Sequence, residues 1–359
     1  MTLFGDIYRG RRVLITGHTG FKGSWLALWL QQLGVHISGI SLDPGTQPNH
    51  WNLLKLNAVD HRQDIRDATK VHALVQAARP EIVFHLAAQP LVRGSYREPL
   101  ESWSTNVMGT AHVLEACRQS GSVKAIVVIT TDKVYANQEW PRAYREDDRL
   151  GGHDPYSASK AACEILIESY RKAFFSRDNG PLLAAARAGN VIGGGDWAED
   201  RLIPDLDRSV SRHKPLVIRS PHAIRPWQHV LECLAGYLML GHKLLEARRE
   251  YAEAWNFGPG PDDNRTVAEV LTMLQMHWPE LVWEHTRDSQ PHEATLLYLD
   301  NAKARTILGW QPVWNIERAL LATADWYRRY HENGGVDSQH QLAQYIDDAR
   351  SAGATWAST

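Results

Sequence analysis

The chain has 359 residues, 43% of them hydrophobic and 22% charged, with a formal net charge of −2. That is the composition of a globular protein with room for one large or two fused lobes. The near-neutral balance excludes a general nucleic-acid or membrane-surface binder, whose Lys/Arg excess would show.

No apolar stretch reaches the roughly 18 residues needed to span a bilayer, and residues 1–10 lack the apolar core of a secretory signal. Cys117, Cys163 and Cys233 form no CxxC motif, so buried thiols in a reducing cytoplasm are expected. In chain order, residues 11–17 (RRVLITG) read as an apolar strand and 21–33 as a helix carrying Trp25, Leu26, Leu28, Trp29 and Leu30. Residues 35–43 return to strand. The cycle repeats with 68–78 as helix, 81–88 (EIVFHLAA) as strand, 98–120 as one long helix and 124–135 (KAIVVITTDKVY) as strand. A helix over 155–175, with Pro155 in its first turn, and a strand over 181–191 follow. Short apolar strands alternating with helices predict an α/β fold: a Rossmann-type doubly wound parallel sheet. Past residue 190 the pattern loosens, with Gly193, Gly194 and Gly195 followed by Pro204, Pro215, Pro221 and Pro226. A dinucleotide-binding domain is expected over 1–190 and a smaller, mainly substrate-binding lobe over 191–359. Helical segments at 231–248, 267–277 and 316–330 are expected to be shared between them.

Thr16-Gly17-His18-Thr19-Gly20-Phe21-Lys22-Gly23 joins the first strand to the first helix with GxxGxxG spacing. A pyrophosphate resting on backbone N–H groups at a helix N-terminus needs close approach, and a β-carbon at Gly17 or Gly20 would hold it off. Three glycines in a turn say little alone; between a strand and a helix they form a dinucleotide loop. Asp43 ends the second strand. A carboxylate there binds both ribose hydroxyls and repels a 2′-phosphate, which favours NAD over NADP; otherwise it is a turn aspartate before Pro44. Asp64 and Ile65, after the third strand, are candidates for the adenine amino group.

Tyr156-Ser157-Ala158-Ser159-Lys160 is YxxxK, with Tyr and Lys on one helical face. Lys160 is expected to favour the Tyr156 phenolate, lowering a pKa that starts at about 10 and making it a base for a sugar hydroxyl.

The ordered set TGHTGFKG, HLAAQ, TNVMGT, ITTDKVY, PYSASK and RAGNVIGGGD resembles that of the extended short-chain dehydrogenases/reductases, and the resemblance covers the whole chain. It implies bound NAD, held by Gly17, Thr19, Gly20, Phe21, Lys22 and Gly23, by Asp43, Asp64 and Ile65, by Leu86, Ala87 and Ala88, and by Tyr156 and Lys160. Membership does not select the reaction; the segment ahead of Val134-Tyr135 does. Epimerases of the family usually offer small hydroxyl residues there. Here Thr130-Thr131-Asp132-Lys133 sets an acid beside a potential base. It is similar to the Thr-Asp-Glu of nucleotide-sugar 4,6-dehydratases, with Lys133 in the Glu place. That departure, together with QPHEATLLYLD (290–300) and IRPWQHV (224–230), resembles the dehydratases that act on CDP-D-glucose.

The implied chemistry begins with Tyr156 taking the C4 hydroxyl proton as hydride passes to NAD⁺, with Thr131 near the C4 oxygen. Lys133 takes the C5 proton, Asp132 protonates the departing C6 hydroxyl to release water, NADH returns hydride to C6, and C5 is reprotonated. Lys133 must then be neutral and Asp132 protonated, although an adjacent carboxylate anion favours a charged lysine. The resemblance assigns the nucleotide-sugar substrate to Gln89, Asn190, Arg201, Leu202, Arg219 and Arg225, with Asn190 and Arg225 at the diphosphate, and it implies a homodimer or homotetramer. Other readings are a dTDP- or UDP-sugar 4,6-dehydratase or a nucleotide-sugar 4-epimerase. A binding protein that merely senses NAD would not need Tyr156, Lys160, Asp132 and Lys133 together. No metal is expected: His292-Glu293 begins like HExxH, but position 296 is Leu.

Overall fold

The computed structural model describes residues 2–176, 180–286 and 296–358. Its centre is a sheet of seven parallel strands: β1 (Arg12–Thr16), β2 (His36–Ser41), β3 (Val59–Arg62), β4 (Ile82–His85), β5 (Ala125–Ile129), β6 (Leu182–Ala188) and β7 (Ala254–Phe257). The order is β7-β6-β5-β4-β1-β2-β3, the doubly wound arrangement expected. It reverses direction between β1 and β4, where open parallel sheets place their ligands.

The central strands β1, β4 and β5 are largely apolar on both faces because both faces are covered, whereas the edge strand β3 (VDHR) is mostly exposed. Side chains alternate, so one strand feeds two cores. Val13 and Ile15 of β1, Ile82 and Phe84 of β4, and Ala125 and Val127 of β5 enter one core. Leu14, Val83 and Ile126 enter the other. The first core is closed by α1 (Phe21–Gln32), α6 (Val230–Leu245), α8 (Ile316–Asn333) and α9 (Ser338–Ser351). The second is closed by α2 (Ala68–Ala78), α3 (Gly109–Arg118) and α4 (Pro155–Ala173). Two further helices, α5 (Leu202–Ser211) and α7 (Val267–His277), belong to the C-terminal half. That half also returns to the sheet: β7 pairs with β6 through Ala254–Ala185 to Phe257–Ala188.

Three expected elements differ from the observed ones. The strand expected over 124–135 stops at Ile129, and Asp132–Val134 forms a tight turn capped by the Thr131 hydroxyl, which accepts from the Lys133 N–H. The long helix expected over 98–120 is a helix at Pro99–Trp103, a wide π turn at Ser104–Met108, and then α3. Asn106 explains the wide turn: its side chain accepts from Gln89 N at 2.8 Å and donates to Ser159 Oγ at 2.9 Å. The strand expected over 181–191 ends at Ala188, and Val191–Ile192 leaves the sheet to pair with Gln228–His229.

Candidate active site

One cleft of about 1360 Å³ runs along the C-terminal ends of β1, β4, β5 and β6 and is walled on the far side by residues 189–225. The glycine loop forms its floor. Gly17 has φ +76°, and a β-carbon there would lie 2.7 Å from Ala87 N, so the loop and the 86–88 segment touch through bare backbone. A β-carbon at Gly23 would lie 2.1 Å from Gly17 O. Gly20 differs: its β-carbon would meet nothing nearer than Gly17 O at 3.4 Å, and it caps the N-terminus of α1. Thr19 is tied to the next strand through Ser41 Oγ at 2.7 Å. Leu86 N donates to Thr16 O at 3.0 Å, and Ala87 N to Thr16 Oγ1 at 3.2 Å.

Thr19, Phe21, Lys22, Asp64, Ile65, Leu86, Ala87, Ala88 and Gln89 line the cleft with the three glycines. Asp43 does not. Its side chain is 88% exposed, 3.7 Å from Arg62, and the wall passes it through Ser41, Leu42 and Pro44. The carboxylate expected at the ribose therefore sits on the outer rim, two residues past the end of β2 at Ser41. Asp64 lines the cleft, but its carboxylate is engaged by Arg66 at 2.6 Å, which holds it below the usual carboxylate range.

Thr131, Asp132, Lys133, Tyr156 and Lys160 converge on the same cleft. Pro155 opens α4, Asp154 caps it by accepting from Ser157 N at 2.9 Å, and Tyr156 and Lys160 follow on its buried face. Burial pushes the Tyr156 phenol up to about 12; the Thr131 hydroxyl beside it works in the opposite direction. The lowered tyrosine pKa expected from Lys160 is thus not the resting state. Burial lowers the Lys160 pKa, and its Nζ donates to Ile129 O at 3.2 Å, so this lysine also fastens helix to strand.

Asp132 is 2% exposed. Burial raises its pKa against the opposing pull of Lys133, Thr131, Arg225 and Lys22. Oδ1 accepts from Thr131 Oγ1 at 3.0 Å, while Oδ2 has no partner among the described residues. Gly189 makes room for it: a β-carbon there would sit 3.1 Å from Oδ2 and 2.4 Å from Pro226.

The far wall carries Asn190, Arg201, Leu202, Arg219 and Arg225. Arg225 is placed by the short antiparallel pair Ile224–Pro226 with Asn264–Thr266 and donates to Ile224 O at 3.0 Å. Arg201 pairs with Asp196 at 2.9 Å, and Leu202 begins α5. Arg219 follows the strand Leu216–Ile218.

Sequence reasoning missed several cleft residues. Asp200 Oδ1 lies 3.5 Å from both Arg219 and Arg93, joining the two walls. His50, also at the cleft, bonds Ser24 at 2.8 Å and Ser338 at 2.7 Å. Neither has a local sequence signal, since the partners are far away in the chain. Residues 290–295 of the QPHEATLLYLD segment, including His292 and Glu293, lie outside the described residues. Among the described residues no cluster of His, Cys, Asp and Glu could hold a metal ion, and no helix is long and apolar enough to cross a membrane.

A glycine loop at the switch point of a doubly wound sheet, facing a Tyr–Lys helix, defines the extended short-chain dehydrogenase/reductase class. The chain belongs to the GDP-mannose 4,6-dehydratase family, whose model matches residues 14–244. It is 45% identical over 350 residues to CDP-glucose 4,6-dehydratase of Salmonella typhimurium, covering 95% of this chain and 98% of that one. Among solved structures, an epimerase from Methanothermobacter thermautotrophicus superposes with a TM-score of 0.81 at 24% identity, covering 92% of this chain and 96% of that one. UDP-glucuronic acid 4-epimerase from Bacillus cereus, in complex with UDP-glucuronic acid and NAD, superposes with a TM-score of 0.76 at 26% identity, covering 88% and 99%.

Proposed function

We propose that the chain is an NAD-dependent enzyme that converts CDP-D-glucose to CDP-4-keto-6-deoxy-D-glucose. The observation that carries this reading is the meeting of Asp132 and Lys133 with Tyr156 and Lys160 in one cleft, supported by the 45% identity to a CDP-glucose 4,6-dehydratase along nearly the whole chain.

The chain's residues fit a dinucleotide. Gly17 and Gly23 are required by the loop itself, whereas Gly20 leaves the start of α1 open toward the cleft, where backbone N–H groups and the helix dipole favour a phosphate. The bound NAD supplies an acceptor for the hydride leaving C4 and the donor of the hydride added at C6. Burial disfavours the charged form of Tyr156; as positive charge gathers in the cleft the phenol releases its proton to solvent, and the phenolate then takes the proton of the C4 hydroxyl. Thr131 orients the C4 oxygen. The ketone at C4 acidifies C5–H; Lys133 removes that proton and returns one to C5 when C6 gains its hydride. Asp132, whose pKa burial raises, delivers a proton from the unpartnered oxygen to the departing C6 hydroxyl. Gln89, Asn190, Arg201, Leu202, Arg219 and Arg225 hold the nucleotide diphosphate and sugar, the arginines by fork-shaped contacts to phosphate oxygens.

The protein acts as a homodimer or homotetramer in the cytoplasm. Leu100, Trp103, Met108 and Ile165 form an exposed apolar set on neighbouring helices, the kind of face that a second copy covers. The three cysteines are unpaired and buried. Incubation with CDP-, dTDP- and UDP-glucose, followed by mass analysis of the sugar, tests the substrate. The 4-keto-6-deoxy product is expected from CDP-glucose at the highest kcat/KM. A preference for dTDP- or UDP-glucose would reassign the base, and a 4-epimer with no loss of water would reassign the reaction.

A further inference from the structure

We infer that Glu164, Thr130 and Tyr135 form a buried brace that holds the Asp132–Lys133 turn in register with Tyr156 and Lys160; the inference rests on the dehydratase reading above. Lys160 and Glu164 stand four apart on α4, so they meet the same neighbouring strand one helical turn apart. Lys160 Nζ donates to Ile129 O at 3.2 Å, and Glu164 Oε1 accepts from the Thr130 hydroxyl at 2.5 Å. Two consecutive residues at the end of β5 are thereby tied to the catalytic helix, one through its backbone and one through its side chain.

The sheet ladder gives out at this point. Ile129 opposite Ala186 is the last pair of β5 and β6, and one further N–H, that of Thr130, reaches Ala186 O at 2.9 Å. Thr131, Asp132 and Lys133 follow in a turn outside the ladder. The turn is gripped again at its other end. Arg187 of β6 gives Nε and Nη2 to the two Glu164 oxygens at 2.9 and 3.0 Å, and its Nη1 reaches the Tyr135 hydroxyl at 2.7 Å. That hydroxyl donates in turn to Asn256 Oδ1 of β7 at 2.7 Å. Thr130, Tyr135, Glu164 and Arg187 are each 5% exposed or less. One buried ion pair therefore holds both ends of a six-residue segment whose middle carries the elimination groups.

Oxidation at C4 and elimination across C5–C6 act on one sugar in one pose, so the two pairs of groups must keep a fixed offset. A misplacement of about 1 Å can cost roughly a hundredfold in rate. The brace acts through Asp132 and Lys133 without touching the reacting atoms, so its members are positioning residues. Loosening it should slow elimination while leaving C4 oxidation nearly intact.

Removing Glu164 or Arg187 strands a buried charge and endangers folding, so the test uses neutral partners at the two ends. Thr130→Val keeps the ion pair and loses one hydroxyl, and Tyr135→Phe loosens the far end from outside the cleft. Wild-type enzyme with CDP-glucose is run alongside; failure to form a dehydrated product would sink the dehydratase reading itself and the brace with it. In an enzyme that dehydrates, both variants are expected to keep their KM and single-turnover formation of the reduced cofactor within about threefold. Dehydration should fall roughly ten- to a hundredfold, with release of a 4-keto-hexose that still carries its C6 oxygen. Thr130→Ser should restore coupling. Wild-type dehydration in both variants, an equal loss of oxidation and elimination, or a change confined to KM would each overturn the brace. A defect in Thr130→Val alone would assign Thr130 to the substrate instead.

Discussion

At the scale of single residues, the site turns on where protons rest. Tyr156 must shed its proton to act as a base, and burial opposes that. Activity should therefore rise with pH along an acid limb set by Tyr156. Lys160→Met removes a nearby cation and should move that limb upward by about one unit or more, as a pH series of kcat/KM would show. Asp132 works in the opposite sense: as an acid it is competent only while protonated, so it should set a limb that falls as pH rises. Asp132→Asn should abolish that limb and cut dehydration by about 10²–10⁴-fold while sparing C4 oxidation. Loss of oxidation as complete as in Tyr156→Phe would refute the division of labour. The adjacency of Asp132 and Lys133 and the YxxxK spacing were legible because each lies within a few residues of sequence. The Lys160 contact to Ile129 O was not, since its partner is 31 residues away and is a backbone atom that every residue possesses. The rim position of Asp43 was likewise hidden, because it depends on where β2 releases the chain.

At the scale of elements, the glycine loop separates structural need from ligand need. Gly23→Ala drives a β-carbon into Gly17 O and should lower the melting temperature, at a cost of about 1–3 kcal/mol. Gly20→Ala meets only an ordinary contact at 3.4 Å, so it should leave the melt of the free protein nearly unchanged while weakening NAD binding tenfold or more. Melting curves with and without NAD distinguish the two; an equal loss of stability in both variants would contradict the geometry. Five of the seven sheet strands, β1, β2, β4, β5 and β6, were readable from apolar runs, since a strand buried on both faces must be largely apolar, whereas β3 (VDHR) and β7 (AWNF) are short and interrupted by polar residues. Less readable was where a strand stops: residues 130–135 continue the β-branched pattern of β5, yet Thr131 caps a turn there. The π turn at Ser104–Met108 was invisible for a similar reason, because the side chain that stabilises it, Asn106, finds its partners in other elements. The α9 helix went unassigned although Leu342, Tyr345, Ile346 and Ala349, all buried, follow helical spacing.

At the scale of the molecule, the C-terminal third is fastened by one buried acid. Glu232 of α6 accepts from Trp314 N at 2.7 Å, Val313 N at 3.0 Å and the Tyr345 hydroxyl at 2.9 Å, and burial pushes its pKa up to about 7. At low pH both the folded and unfolded chains hold this proton. As pH rises from about 4.5 to 7 the unfolded chain releases it first, so the folded state loses stability, by about 3 kcal/mol in all, and the loss levels off above 7. Glu232→Gln should flatten that slope in denaturant titrations from pH 5 to 8. Its overall stability should also be lower, because an amide nitrogen cannot accept from Val313. An unchanged slope would show that Glu232 does not titrate in this range. The strand order has a consequence for synthesis on the ribosome. The edge of β6 stays open until residues 254–257 emerge to form β7, so a nascent chain that already carries Asp132, Lys133, Tyr156 and Lys160 still presents a bare strand edge. A chain truncated at residue 190 would keep that edge permanently and should aggregate, whereas one extended past 257 gains the strand that covers it.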